Sequence, residues 1–160
     1  MIRTSTLLPS LTAVALAVAA LAPLPAAAAE ASMMNPADIK WGDAPPSLPK
    51  GAKMAVIHGD PGKDGPFTVR LRAPGGYRIA PHWHSKDENL TVLSGTFMLG
   101  LGDKFDAKQM HALKAGGFHY LPAKTNHYAM TKGTTELQVS GTGPFDVTYL
   151  NPADDPSKAP

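Results

Sequence analysis

Gly76-Tyr-Arg-Ile-Ala-Pro-His82-Trp-His84-Ser-Lys-Asp-Glu88-Asn-Leu-Thr-Val-Leu-Ser-Gly95 is the stretch that decides the fold of this chain. His82 and His84 stand two residues apart, so on a β-strand both imidazoles leave the same face. Glu88 follows four residues after His84, and Asn89–Leu93 reads as a return strand ending at Gly95. Two adjacent strands would then aim two imidazoles and a carboxylate at one point inside a barrel. A helical metal motif places its histidines at i and i+4, which excludes a helix here.

The same stretch has the form G-x5-H-x-H-x3-E-x6-G and resembles the first motif of the cupin family position for position. Gly116-Gly-Phe-His-Tyr-Leu-Pro122-Ala-Lys124-Thr-Asn-His127 resembles the second motif, G-x5-P-x-G-x2-H-x3-N. It departs at Lys124, where the family usually has Gly, and at Thr131, where it often has Asn. The resemblance implies a single jelly-roll barrel, the double-stranded β-helix. It also implies one divalent transition metal ion held by His82, His84, Glu88 and His127. Three neutral imidazoles and a carboxylate suit Fe, Mn, Ni, Zn or Cu without choosing among them. On an octahedral ion such a set leaves two positions open.

Outside the motifs, residues 1–29 read as a signal peptide. Arg3 is the positive region, Leu11–Ala22 an apolar run, and Ala26–Ala29 the small residues a signal peptidase needs. Cleavage after Ala29 or Ala31 fits, and the apolar run is too short to span a bilayer comfortably. The expected location is therefore periplasmic or secreted, with no membrane insertion after cleavage. Removing 29 of the 160 residues leaves 131, which suits one domain. It also removes one of 15 basic residues and no acid, so 14 minus 13 leaves a charge of +1. That balance argues against a nucleic-acid partner. The chain has no cysteine, which excludes disulfides and thiolate ligands and leaves nitrogen and oxygen donors for a metal.

Residues 30–50 carry Pro36, Pro45, Pro46 and Pro49 and read as an extended arm with Ile39 and Trp41 as isolated anchors. Such an arm lies across its own barrel or across that of a partner, and the second case predicts a homodimer. Residues 51–150 hold many short alternating segments separated by Gly and Pro turns: 53–58, 67–72, 97–101, 118–121, 127–131, 135–140 and 145–150. This pattern describes an all-β barrel or jelly roll. Asp103–Met110 is the one helical candidate, capped by Asp103 or Asp106. Residues 151–160 read as a tail.

Some residues near the motifs are candidates for a supporting role. His119 lies on the second-motif strand without occupying a ligand position, and could equally face solvent. Gln138 and Ser140 share one polar strand face, either outside the barrel or toward a metal pocket. Tyr120 and Tyr128 are candidates for the pocket or for ordinary core. His58 and His111 belong to no motif and read as surface residues. Exported single-domain cupins resemble this chain also through Gln138–Pro144 and Asn151–Pro156, and many of them carry His where Ser140 stands. Cupins with this ligand set include dioxygenases, oxalate-degrading enzymes and isomerases. The first expectation is a metal-dependent, dioxygenase-like oxidoreductase acting on a small organic substrate. The second is a non-catalytic metal- or ligand-binding protein, and the third an isomerase or lyase. No nucleophile elbow, phosphate-binding loop or dinucleotide fingerprint competes with these readings.

Overall fold

A computed structural model describes residues 31–158, so the segment 1–29, read above as a signal peptide, lies outside the described residues. Among the described residues, no helix is long and apolar enough to cross a membrane. The strands are β1 (Gly42–Asp43), β2 (Lys53–His58), β3 (Gly65–Ala73), β4 (Arg78–Trp83), β5 (Glu88–Leu101), β6 (His111–Lys114), β7 (Phe118–Leu121), β8 (His127–Gly143) and β9 (Thr148–Tyr149). They form one antiparallel sheet in the order β1-β2-β3-β8-β4-β9, with β5 pairing β6, β7 and β8. The sheet curls into the expected jelly-roll barrel.

β8 is the spine. Its first half pairs β4 on one edge and the second half of β5 on the other. Its second half pairs β3 and the first half of β5. The alternation of β3 shows how the sequence selects inside from outside. Phe67, Val69, Leu71 and Ala73 are buried, and Val69 and Leu71 face Val139 and Leu137 across the ladder. The outward residues make a polar ladder in the same register. Thr68 Oγ1 lies 3.1 Å from Ser140 Oγ, Arg70 Nε donates to Gln138 Oε1, and Arg72 pairs with Glu136 at 3.0 Å. Such cross-strand pairs are the unit by which a sheet is stabilised.

Several segments differ from the sequence expectation. Residues 88–93 and 97–101 are one strand, as are 127–131 and 135–140, because the glycines between them bend the chain without ending it. Gly95, at φ +80°, is such a bend, and a Cβ there would meet the Thr134 carbonyl oxygen at 2.4 Å. The ladder passes through it with register shifts, as a bulge allows. β4 and β5 are not paired with each other; β8 lies between them. Asp103–Met110 is not a helix but an irregular cap with one 3-10 turn at Ala107–Gln109, where Asp106 accepts from Lys108 N. Phe105 explains this. Its ring packs 5.0 Å from that of Tyr128 and under the Arg78 guanidinium at 3.8 Å, which draws the segment onto the barrel. Further 3-10 turns occupy Pro36–Asp38, Pro152–Asp154 and Pro156–Lys158. Of 145–150, only Thr148–Tyr149 is strand, since Phe145 N donates to Pro61 O and Leu150 N to Pro81 O instead of a ladder.

The arm lies on its own barrel. Ala44 and Leu48 pack against the core. The Tyr77 hydroxyl donates to Pro49 O at 2.6 Å, and that of Tyr149 to Ser47 O at 2.8 Å. Burial raises the pKa of both phenols, that of Tyr77 to about 12, so both remain donors at ordinary pH. Trp41 receives the Arg72 guanidinium over its ring at 4.2 Å.

The two departures from the second motif have structural accounts. Thr131 is buried; its hydroxyl donates to Pro74 O and accepts from Tyr77 N, which ties the turn before β4 to β8. Lys124 has φ +63°, left-handed backbone that glycine adopts without strain. Its side chain is exposed. Lys124→Gly is therefore expected to stabilise the protein by roughly 0.5–1 kcal/mol, the relieved strain exceeding the entropy cost of glycine. Urea or thermal unfolding measures this, and a loss of stability would contradict the strain.

Candidate metal centre

His82 stands on β4 directly opposite His127 on β8. His84 follows one residue after β4, beside them. All three are buried, and one ligand nitrogen from each lies within 4.8 Å of the others. The geometry positions these three histidines to bind a metal.

Their orientation is fixed by the backbone. His82 Nδ1 lies 2.7 Å from Ala80 O, His84 Nδ1 2.5 Å from Asp146 O, and His127 Nδ1 2.9 Å from Thr125 O. A carbonyl oxygen only accepts, so each Nδ1 carries the proton and each Nε2 keeps its lone pair. Metal-binding histidines are oriented in this way by the groups behind them. His84 is stacked on Phe145 at 4.4 Å, and its Nε2 is buried without any hydrogen-bond partner. An orphaned acceptor at the centre of three converging imidazoles is what a metal ion would satisfy.

Glu88, the first residue of β5, is buried at the edge of this cluster. Its Oε1 lies 3.8 Å from His84 Nε2, and its Oε2 lies 3.8 Å from His127 Nε2 and 3.0 Å from His119 Nε2. Two donors each about 2.1 Å from one ion stand roughly 3.0–3.5 Å apart, and Glu88 comes near that spacing to His84 and His127 through different oxygens. The group of three that already converges does not include it.

Electrostatics favours the metal-ready protonation state. Burial, then the neighbouring His127 and His84, push the His82 pKa down to about 3. Burial lowers that of His127 as well. Glu88 goes the other way from what burial dictates. Burial raises its pKa, but the hydrogen bond from His119 and the surrounding imidazoles outweigh this and bring it to about 2. At neutral pH, His82 and His127 are neutral and Glu88 is ionised.

The cluster forms the floor of a cavity of about 300 Å³. Val69, Leu71, Leu90, Phe97, Leu137 and Val139 are among its walls, and Leu48 of the arm, Phe145 and Val147 also line it. Among the described residues no Lys or Arg lines it, and Ser47 is the one further polar residue of the lining.

The supporting candidates are placed unequally. His119 joins the site through Glu88. Tyr120 is exposed and donates to Asp87. Tyr128 is buried, but beneath the 103–110 cap, with its hydroxyl on Asp106 O. Gln138 and Ser140 belong to the outer ladder with Arg70 and Thr68. His58 and His111 are exposed. Sequence reasoning missed the roles of Leu48, Phe145 and Asp146. Asp146 acts through its main-chain carbonyl, which leaves no residue-type signal. Leu48 was visible only as an apolar residue isolated among prolines.

Residues 69–145 match the family model described as "Cupin domain". Among solved structures, the chain is similar to the polyketide cyclase RemF from Streptomyces resistomycificus, at 18% identity and TM-score 0.67, over 81% of this chain and 92% of that one. It is similar to a candidate acetylacetone dioxygenase from Methylibium petroleiphilum, at 19% identity and TM-score 0.63, over 82% and 88%. A third is an RmlC-like cupin from Shewanella frigidimarina, at 16% identity and TM-score 0.56, over 71% and 91%. At these identities the likeness is one of fold. No curated protein matches the chain.

Replacing both His82 and His84 by Ala is expected to abolish stoichiometric metal, read by mass spectrometry of the purified protein; unchanged metal content would refute the site. The metal-free protein is expected to lose stability in acid. His82 is protonated near pH 6.5 in the unfolded chain but only near 3 when folded. Its contribution is intact above pH 6.5 and is lost as pH falls toward 3. Glu88, at 4.5 unfolded and about 2 folded, acts in the same direction below pH 4.5. A melting temperature that falls below pH 6.5, and falls less in His82→Asn, is the expected result.

Proposed function

The chain carries a single cupin domain, and from that premise we propose that it is an exported, mononuclear metal-dependent oxidoreductase of dioxygenase type acting on a small organic molecule. The observation that carries the reading is the buried trio of His82, His84 and His127, each with its Nε2 lone pair free, on the floor of a small apolar cavity. Glu88 is assigned as the fourth ligand. A divalent transition metal held there would accept a chelating oxygen pair from the substrate and supply the redox chemistry with dioxygen.

The chain's own residues define what the site admits. The apolar walls desolvate the substrate body and favour burial of a hydrocarbon skeleton. The absence of Lys or Arg among the described lining residues disfavours phosphates and dicarboxylates, whose charge would be buried unpaired. The volume admits a molecule of modest size. Backbone carbonyls hold the imidazoles in one tautomer, so substrate binding requires no proton rearrangement of the ligands.

One observation favours a second reading. Among the described residues the lining offers no acid or base apart from the candidate ligands and the hydroxyl of Ser47, and Tyr120 and Tyr128 are engaged elsewhere. This weakens the isomerase or lyase reading, which needs a positioned proton carrier. It leaves a non-catalytic metal- or ligand-binding protein as the alternative.

The test is reconstitution of the metal-free protein with Fe(II), Mn(II), Ni(II), Zn(II) or Cu(II), followed by oxygen uptake. The panel holds β-diketones, flavonols, catechols and small carboxylic acids; the fold neighbour named for acetylacetone motivates the first of these. Uptake is expected with an apolar chelating substrate and one redox-active metal. No uptake with any metal, together with tight retention of one ion, would replace this reading by the binding-protein one.

A further inference from the structure

His119 differs from the other histidines of the centre in what its inward nitrogen meets. His82, His84 and His127 each give Nδ1–H to a main-chain carbonyl and present an unengaged Nε2. His119 instead directs Nε2 at Glu88 Oε2, 3.0 Å away, and its buried Nδ1 has no partner. No carbonyl locks it as a ligand, and its inward nitrogen is already committed.

The strand register produces this contact. On β7, His119 and Leu121 are buried while Phe118 and Tyr120 are exposed. On β5, Glu88 faces Leu121 and Leu90 faces His119. The imidazole reaches diagonally across one residue pair to the carboxylate, a separation long side chains span. An ionised carboxylate only accepts, so Nε2–H is the donor. Both carboxylate oxygens lie 3.8 Å from a candidate ligand nitrogen, Oε1 from His84 Nε2 and Oε2 from His127 Nε2; the hydrogen bond engages Oε2 and leaves Oε1 unengaged.

Building on the metal-centre reading above, we propose that His119 is a positioning residue. It pins Glu88 Oε2 and thereby fixes Glu88 as a one-oxygen ligand through Oε1, completing a set of three imidazole nitrogens and one carboxylate oxygen. Without it, the carboxylate is free to rotate, to offer both oxygens to the ion, or to turn away.

The test uses Co(II) as the probe, titrated into chelator-stripped full chain, with visible absorption reporting coordination geometry and affinity together. Wild type is expected to bind one Co(II). His119→Leu is expected to keep that stoichiometry, with affinity about 10–100-fold weaker, as is usual on loss of such a supporting group, and with an altered spectrum. His119→Gln, which retains an N–H donor, is expected to recover most of both. In a Glu88→Gln background, His119→Leu should add little, since His119 acts through Glu88. That background also removes the buried carboxylate that His119→Leu leaves without its hydrogen-bond donor. Wild-type affinity and spectrum in His119→Leu would overturn the proposal. So would complete loss of binding in a folded His119→Leu protein, which would make His119 a ligand, or an undiminished effect of His119→Leu in the Glu88→Gln background. If wild type itself takes up no Co(II), the three-histidine centre fails, and that outcome is distinct from the others.

Discussion

The cross-strand pairing of His82 with His127 is the contact on which the site depends. In an antiparallel ladder, side chains directly opposite one another share a face. Placing two histidines there obliges their rings to meet, and the centroids are 4.1 Å apart. His84, two residues further on, falls on the same face, with its ring 5.0–5.1 Å from both. One register therefore fixes three of the donors. A slip of β8 by one residue would send His127 outward and bring Tyr128 in. Phe105 and the Asp106 carbonyl hold Tyr128 on the other side, which opposes that slip.

Burying so many polar groups costs stability, and the structure offsets part of this cost. Each Nδ1–H is bonded to a carbonyl, and Glu88 is bonded to His119. A buried acceptor left without a partner costs about 1–3 kcal/mol, and His84 Nε2 and His119 Nδ1 are in that position. The first lies at the centre of the donor set, where an ion would satisfy it and metal binding would couple to folding. The second is the consequence of assigning His119 to Glu88. The depressed pKa of His82 reports the same balance: the pocket accepts a neutral imidazole far more readily than a charged one.

Much of this was legible in the sequence, for definite reasons. The spacing of His82, His84 and Glu88 and the alternation in 67–72 and 135–140 are local and periodic, and strand geometry converts them directly into faces. What was not legible depended on partners distant in the chain. Whether Gln138 faced in or out turned on its register with Arg70, 68 residues away. Gly95 reads locally as a stop, yet β5 continues across it. Asp103–Met110 has acids able to cap a helix, but Phe105 finds a better place against Tyr128 than a helix would give it. His119 was ambiguous because its strand is short and one partner, Glu88, decides its direction.

The arm shows how a segment with little regular structure still shapes the site. Its prolines restrict the unfolded chain and so lower the entropy cost of ordering it. Tyr77 and Tyr149, from the turn before β4 and from β9, hold the carbonyls of Pro49 and Ser47 with hydroxyls that burial keeps protonated. Between these two bonded residues in the chain stands Leu48, which lines the same cavity as the imidazoles. The ring of Tyr149 also lies 5.8 Å from that of His82. A single side chain thus touches both the floor and the strap of the cavity. Metal-ligand geometry and cavity shape are in this way set by the same few residues of β4, β8 and β9, and a change that loosens the arm will be felt at the imidazoles.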